Sequence, residues 1–323
     1  MSKKISIICT LGPSTLNKNF LEFSKKKISL LRLNMSHLNL QNLKKSIKFI
    51  KKYTNVPICI DTEGAQIRTK VKKEKLYKQG EKLLIKNSKG IFNLYPESVF
   101  KKIKINDILN IGFNNLRIKV IKKHKYISCK VISSGKLENN KGVHIENRKI
   151  KLDYLTTKDF EAIKVGEAFK VKNYALSFTN SANDITKFDK LLKNKKKIYK
   201  IETLKAVKNF KSILKKGSYF LIDRGDLSKD IEVENIPLAQ RMLFNMKKKY
   251  KKKEIYVATN LLESMLENNY PTRGEANDIF NSLEMGASGL VLAAETAIGN
   301  HPKDAVIFLK KIIKTFKQHK SKI

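Results

Sequence analysis

Residues 197–227, KIYKIETLKAVKNFKSILKKGSYFLIDRGDL, hold two short apolar runs, Lys197 to Ile201 and Tyr219 to Ile222, on either side of a longer amphipathic segment. A short β-branched or aromatic run fits a strand and a longer amphipathic one fits a helix, so this stretch predicts strand, helix, strand. The same unit recurs outward in both directions. Further strands are expected at Ile5 to Cys9, Ile28 to Leu33, Pro57 to Ile60, Tyr174 to Phe178, Glu254 to Ala258 and Gly289 to Leu292. Helix starts are marked by Thr156 with Asp159, Ser181 with Asp184 and Thr272 with Glu275, where a hydroxyl can cap the first turn and a carboxylate complement it. Eight strands, each followed by a helix, predict an α/β fold of the (β/α)8 TIM barrel type.

From about residue 69 to 151 the rhythm changes to short strands separated by polar turns, among them Lys82 to Lys86, Leu116 to Ile121 and Tyr126 to Val131. The expected organisation is therefore a barrel built from residues 1–68 and 152–323, with a small all-β lid, 69–151, inserted in its third βα loop. The last helix is expected at about His301 to Lys317, with no further domain expected after it.

The 323 residues with 41% hydrophobic content can bury a sizeable core, which excludes a disordered chain. The net charge of +39 is spread along the chain, and 61 lysines stand against 7 arginines. With Asn and Ile also plentiful, an A/T-rich coding bias in solvated faces accounts for the charge better than a selected nucleic-acid surface. No stretch reaches the roughly 20 apolar residues of a membrane span. The N-terminus has no cleavage site of the signal-peptide kind. Cys9, Cys59 and Cys129 are odd in number, far apart and set in strand-like runs, as expected of buried free thiols in a cytoplasmic protein.

A TIM barrel places its chemistry in the loops after the strands. There the sequence offers Arg32, Asn34 and Ser36; Asp61, Thr62 and Arg68; Ser177; Lys200 and Glu202; Arg224, Gly225 and Asp226; Thr259; and Glu295. Arginine is scarce in this chain, yet Arg32, Arg68, Arg224 and Arg273 fall in or beside these loops, which points to planar recognition of carboxylate or phosphate. Glu202 and Asp226 follow consecutive strands without a nearby Cys or His, a hard-oxygen pair suited to Mg²⁺ or Mn²⁺ rather than zinc. Lys200, two residues before Glu202, faces the same side of an extended strand end.

The chain resembles the pyruvate kinases. The resemblance rests on CTLGPS (9–14), LRLNMSH (31–37), IDTEGAQIRT (60–69), KGVH (141–144), KIE (200–202), DRGDL (223–227), ATNLLESM (258–265), PTRGE (271–275) and AETAIG (294–299), in family order over nearly the whole chain. It implies a catalytic barrel with a lid, lacking the family's C-terminal domain and the sugar-phosphate regulation that domain carries. The implied reaction is transfer of the phosphoryl group of phosphoenolpyruvate to ADP, giving pyruvate and ATP in the last step of glycolysis. By the same resemblance Lys200, Arg32, Arg68 and Thr259 are catalytic, and Arg32, Lys200, Gly225, Asp226 and Thr259 bind substrate. His37 and Arg68 would face the nucleotide phosphates. Glu202 and Asp226 would hold Mg²⁺ or Mn²⁺, and Asn34, Ser36, Asp61 and Thr62 would hold K⁺. A homodimer through the barrel helices is compatible with this architecture.

The sequence also departs from the family. Glu63, Ala65 and Gln66 replace the usual Lys, Pro and Glu of its DTKGPEIR run, and neutral Gln66 leaves K⁺ dependence open. Ile111, Gly112, Phe113 and Asn114 stand where the lid usually reads IDDG, and Asn180 where a basic residue is usual. Two other readings follow from these changes and from the charge: a phosphate-binding scaffold with little turnover, and a basic nucleic-acid-binding protein.

Overall fold

Eight parallel strands close into a barrel in chain order: β1 (Ser6–Thr10), β2 (Leu30–Asn34), β3 (Ile58–Asp61), β4 (Asn173–Leu176), β5 (Lys196–Ile201), β6 (Tyr219–Asp223), β7 (Glu254–Ala258) and β8 (Gly289–Leu292), which pairs back onto β1. The computed structural model describes residues 4–64, 66–87, 90–112, 116–146, 148 and 150–320. Ala65, Phe113 and Asn114, on which sequence expectations fell, lie outside them. The chain divides into two compact units, Met1–Gly64 with Thr157–Ile323, and Ala65–Thr156.

The expected eight-stranded barrel is the fold, and all eight strands sit within two or three residues of their expected places. One end differs for a clear reason. The apolar run predicts a strand through Phe178, but the φ of 51° at Phe178 is left-handed, and β4 stops at Leu176. The helix Leu40–Tyr53 shows how the outer ring forms: Leu43, Ser46, Ile47 and Ile50 recur at helical spacing and are buried, and Asn39 caps the backbone N–H of Asn42. Ser181 and Thr272 cap their helices as expected, Thr272 with Glu275 in a full capping box. Asp159 stands in the first turn of its helix, and its carboxylate accepts from the Glu63 and Gly64 N–H groups, at 2.7 and 3.1 Å. That contact pins the loop after β3.

The second unit is built around its own apolar core, including Leu83, Ile85, Phe92, Leu109, Ile118, Val120, Ile127 and Val131. Its seven-stranded sheet runs in the order 143–145, 108–111, 116–123, 126–133, 82–86, 92–95, 68–71, antiparallel except where Lys82–Lys86 meets Phe92–Tyr95. In Lys82–Lys86 only Leu83 and Ile85 are buried, the alternation of a sheet with one face inward. A two-stranded ribbon pairs 75–77 with 135–137. The unit is not purely β, because Ser98–Lys102 forms a short helix.

All three cysteines are free and buried. Among the described residues no helix is long and apolar enough to cross a membrane.

Candidate active site

Alternate residues of each barrel strand face the axis. The inner layer is apolar, with Ile8, Leu30, Cys59, Ala175, Ile198, Leu221, Tyr256 and Val291 packed together. Two residues further along, the same parity delivers Thr10, Arg32, Asp61, Ser177, Lys200 and Asp223. The core thus ends in a polar layer at the C-terminal ends of the strands.

Asp61 is the hub of that layer. Its Oδ2 accepts from Arg32 Nε at 2.7 Å, lies 2.6 Å from Arg32 Nη2, and is 3.3 Å from Lys200 Nζ. Ser177 Oγ donates to Asp61 Oδ1 at 3.3 Å and to the Thr62 carbonyl at 2.7 Å. Arg32 Nη1 also reaches Thr10 Oγ1 at 3.2 Å. Lys200 lies between three acids, 2.6 Å from Glu202, 3.3 Å from Asp61 and 3.4 Å from Asp223. Burial works to lower the pKa of Lys200, but Asp61, Glu202 and Asp223 outweigh it and hold the amine above its ordinary range. Burial is likewise outweighed at Arg32 by Asp61 and Asp223. Both side chains are therefore fixed cations in a site from which bulk water is largely excluded, and such charges act more strongly there than in solution.

Ligand oxygens of Glu202, Asp223 and Asp226 lie within 4.8 Å of one another. Glu202 and Asp226 were expected together; Asp223 was not. Its signal was present in the parity Tyr219, Leu221, Asp223, which puts it on the inward face beside Lys200. Three hard oxygens without a thiolate or imidazole fit a small divalent cation. Glu202 Oε2 also accepts from the Phe178 N–H at 2.6 Å, so the left-handed turn after β4 anchors this carboxylate. Asp226 is paired with Lys229 at 2.5 Å.

The Glu202 carboxyl is pushed up to about 8 from its ordinary 4.5, first by burial and then by Asp226, Asp223 and Asp61, against the pull of Lys200. The folded chain thus keeps a proton there that the unfolded chain releases, and stability falls as pH rises through this interval. The contribution is complete below about pH 4.5 and gone above about 8. In the presence of a chelator, the melting temperature is expected to fall between pH 5 and 8, and a divalent cation should flatten the fall. A flat chelated profile would contradict the burial of an acid at this position.

Thr259 has φ 70°, an unusual value for a β-branched residue. Its Oγ1 accepts from the Gly225 N–H at 2.7 Å, tying the loop after β6 to the loop after β7. Arg224 holds this strained turn, donating to the Thr259 carbonyl at 2.7 Å and to Asp278 at 2.7 Å. The Arg224 guanidinium is thus engaged by the chain's own carbonyls and by Asp278. Glu295 is also structural, accepting from the Leu262 and Ala293 N–H groups. Glu63, where a family run has lysine, is paired with Lys158 at 2.9 Å, and Asn180 accepts from Thr203 Oγ1 at 2.5 Å.

Asn34 Oδ1 accepts from the Ser36 N–H at 3.0 Å, and Thr62 Oγ1 accepts from the Ser177 N–H at 3.0 Å. His37 is exposed on the same turn. Arg68 belongs to the second unit, where it donates to the Asn140 carbonyl at 3.1 Å. Arg273 is exposed at the start of the helix Arg273–Glu284.

The family described as the pyruvate kinase barrel domain matches residues 2–306. A pyruvate kinase of Thermotoga maritima is 31% identical over 331 aligned residues, covering 97% of this chain and 71% of the relative. One from Methanocaldococcus jannaschii is 32% identical, covering 99% and 71%. One from Staphylococcus saprophyticus is 32% identical, covering 96% of this chain and 56% of the longer relative.

Proposed function

The chain belongs to the pyruvate kinase family, and we propose that its barrel mouth itself turns over phosphoenolpyruvate and ADP, with Lys200 and Arg32 as the charges that hold the transferring phosphoryl group. The family's function is a phosphotransfer that yields pyruvate and ATP. Neither the scaffold nor the nucleic-acid reading is favoured by a match over nearly the whole chain.

One observation carries the proposal: two buried cations, Arg32 and Lys200, converge on a single carboxylate oxygen of Asp61, beside a cluster of three more acids. In phosphoryl transfer the bond from phosphorus to the enol oxygen breaks, and a bond to a terminal phosphate oxygen of the nucleotide forms. Positioning and charge provide most of the acceleration. Lys200 and Arg32 are already oriented by Asp61, so little reorganisation remains when an anion arrives. Glu202 and Asp226 would hold Mg²⁺ or Mn²⁺, which when bound supplies positive charge for the substrate oxygens. The backbone N–H groups of Gly225 and Asp226, with the Thr259 hydroxyl, would bind the substrate carboxylate. For that, the Gly225 N–H must turn from Thr259 Oγ1 to the ligand. By the family resemblance, Thr259 would stand near the side from which carbon is protonated. Asn34, Ser36, Asp61 and Thr62 would offer oxygens to K⁺, sharing the Asp61 carboxylate with Arg32 and Lys200. His37 and Arg68 would meet the nucleotide phosphates.

The test is pyruvate formation by the purified protein from phosphoenolpyruvate and ADP with Mg²⁺, with and without K⁺, beside Asp226→Ala. Turnover that disappears in the variant is the expected result. A folded protein that forms no pyruvate with Mg²⁺ or Mn²⁺ would overturn the proposal.

A further inference from the structure

We propose that Asp223 is a third protein ligand for the divalent cation, so that this chain binds the ion tightly before any substrate is present. The proposal rests on the reading of Glu202 and Asp226 as the metal pair. Asp223 closes β6 with its side chain on the inward face, 3% exposed, and its carboxylate shares the 4.8 Å cluster with Glu202 and Asp226. In an octahedral set with bonds of about 2.1 Å, opposite oxygens are about 4.2 Å apart and adjacent ones about 3.0 Å, so the three carboxylates must draw closer by side-chain rotation to share one ion.

The alternative role for Asp223 is that of a counter-ion to Lys200. The distances argue against it as the sole role: Lys200 is 2.6 Å from Glu202 and 3.4 Å from Asp223. The charges argue the same way: a cation among the three clustered carboxylates offsets their mutual repulsion. With two carboxylates a divalent ion depends on substrate oxygens to complete its attraction. With three, the protein alone supplies a net negative, all-oxygen set, and ligand charge is what raises affinity in such sites.

The experiment is titration of the full chain with Mn²⁺ alone, reading free Mn²⁺ by electron paramagnetic resonance, without phosphoenolpyruvate or nucleotide. Wild type is compared with Asp223→Asn, which keeps the side-chain shape, with Asp223→Ala, and with Asp226→Asn. The expected result is substrate-free binding in wild type, weakened by at least about tenfold in both Asp223 variants. Binding within twofold of wild type in Asp223→Asn, with binding lost in Asp226→Asn, would overturn the third-ligand proposal and leave the metal pair standing. Absence of Mn²⁺ binding by wild type without substrate would overturn it as well. If Asp226→Asn binds like wild type, the reading of the metal pair itself fails, and the proposal with it.

Discussion

Lys200→Met is expected to lower phosphoryl-transfer turnover by on the order of a thousandfold, because it removes the buried cation to which the proposed mechanism assigns the transferring phosphoryl group. The structure adds a second expectation. Lys200 is 3% exposed and in reach of Asp61, Glu202 and Asp223, so its loss leaves three acids facing one another without their shared partner. Breaking such a buried arrangement costs about 3–5 kcal/mol of stability. The two effects separate by adding a divalent cation during thermal melts and steady-state assays. Positive charge from Mn²⁺ should recover much of the melting temperature and almost none of the turnover. Wild-type turnover in Lys200→Met would rule out its assigned role.

Asp61→Asn is the second large effect. The resemblance assigns Asp61 to a K⁺ site, whereas the structure shows its carboxylate orienting both Arg32 and Lys200. Neutralising it leaves two buried cations to repel each other without the oxygen that aligns them. Displacement of either by about 1 Å can cost about a hundredfold in rate. The expected result is a fall in kcat of that order at saturating phosphoenolpyruvate, the same at every K⁺ concentration. If raising K⁺ restores wild-type kcat, the carboxylate acts chiefly as a cation ligand and its orienting role is rejected.

Much of the site was legible because a strand's parity is a local property. Ile198, Lys200 and Glu202 alternate along one strand and continue into its loop, so their common face follows from chain geometry alone. Asp223 follows the same parity after Tyr219 and Leu221, but the apolar run ends at Ile222 and a polar Asp before Arg-Gly carries the signal of a loop, whereas the strand extends through Asp223. The arginines illustrate the opposite case. Arg32 and Arg224 look alike as scarce arginines at strand ends. Arg32 is held in the mouth by Asp61, whereas Arg224 is drawn away by Asp278 and the Thr259 carbonyl. Nothing in the local sequence distinguishes them, because Asp278 comes 54 residues later.

By itself, the sequence determined the repeating strand–helix unit, the inserted β-rich segment and the set of polar residues that end the inward face of each strand. Hydrophobic period and turn chemistry act over a few residues, and those features need nothing more. Tertiary structure alone decided which of these residues meet. Lys200 and Asp61 are 139 positions apart, and only closure of the barrel, with β4 between β3 and β5, brings them within 3.3 Å. The same closure gathers Asp223 with Glu202 and Asp226 and sends the Asp159 carboxylate to the backbone of Glu63 and Gly64. A carboxylate's role as counter-ion, backbone anchor or metal ligand depends on which charges and N–H groups lie within a few ångströms, and at these separations in sequence only the folded barrel sets that distance.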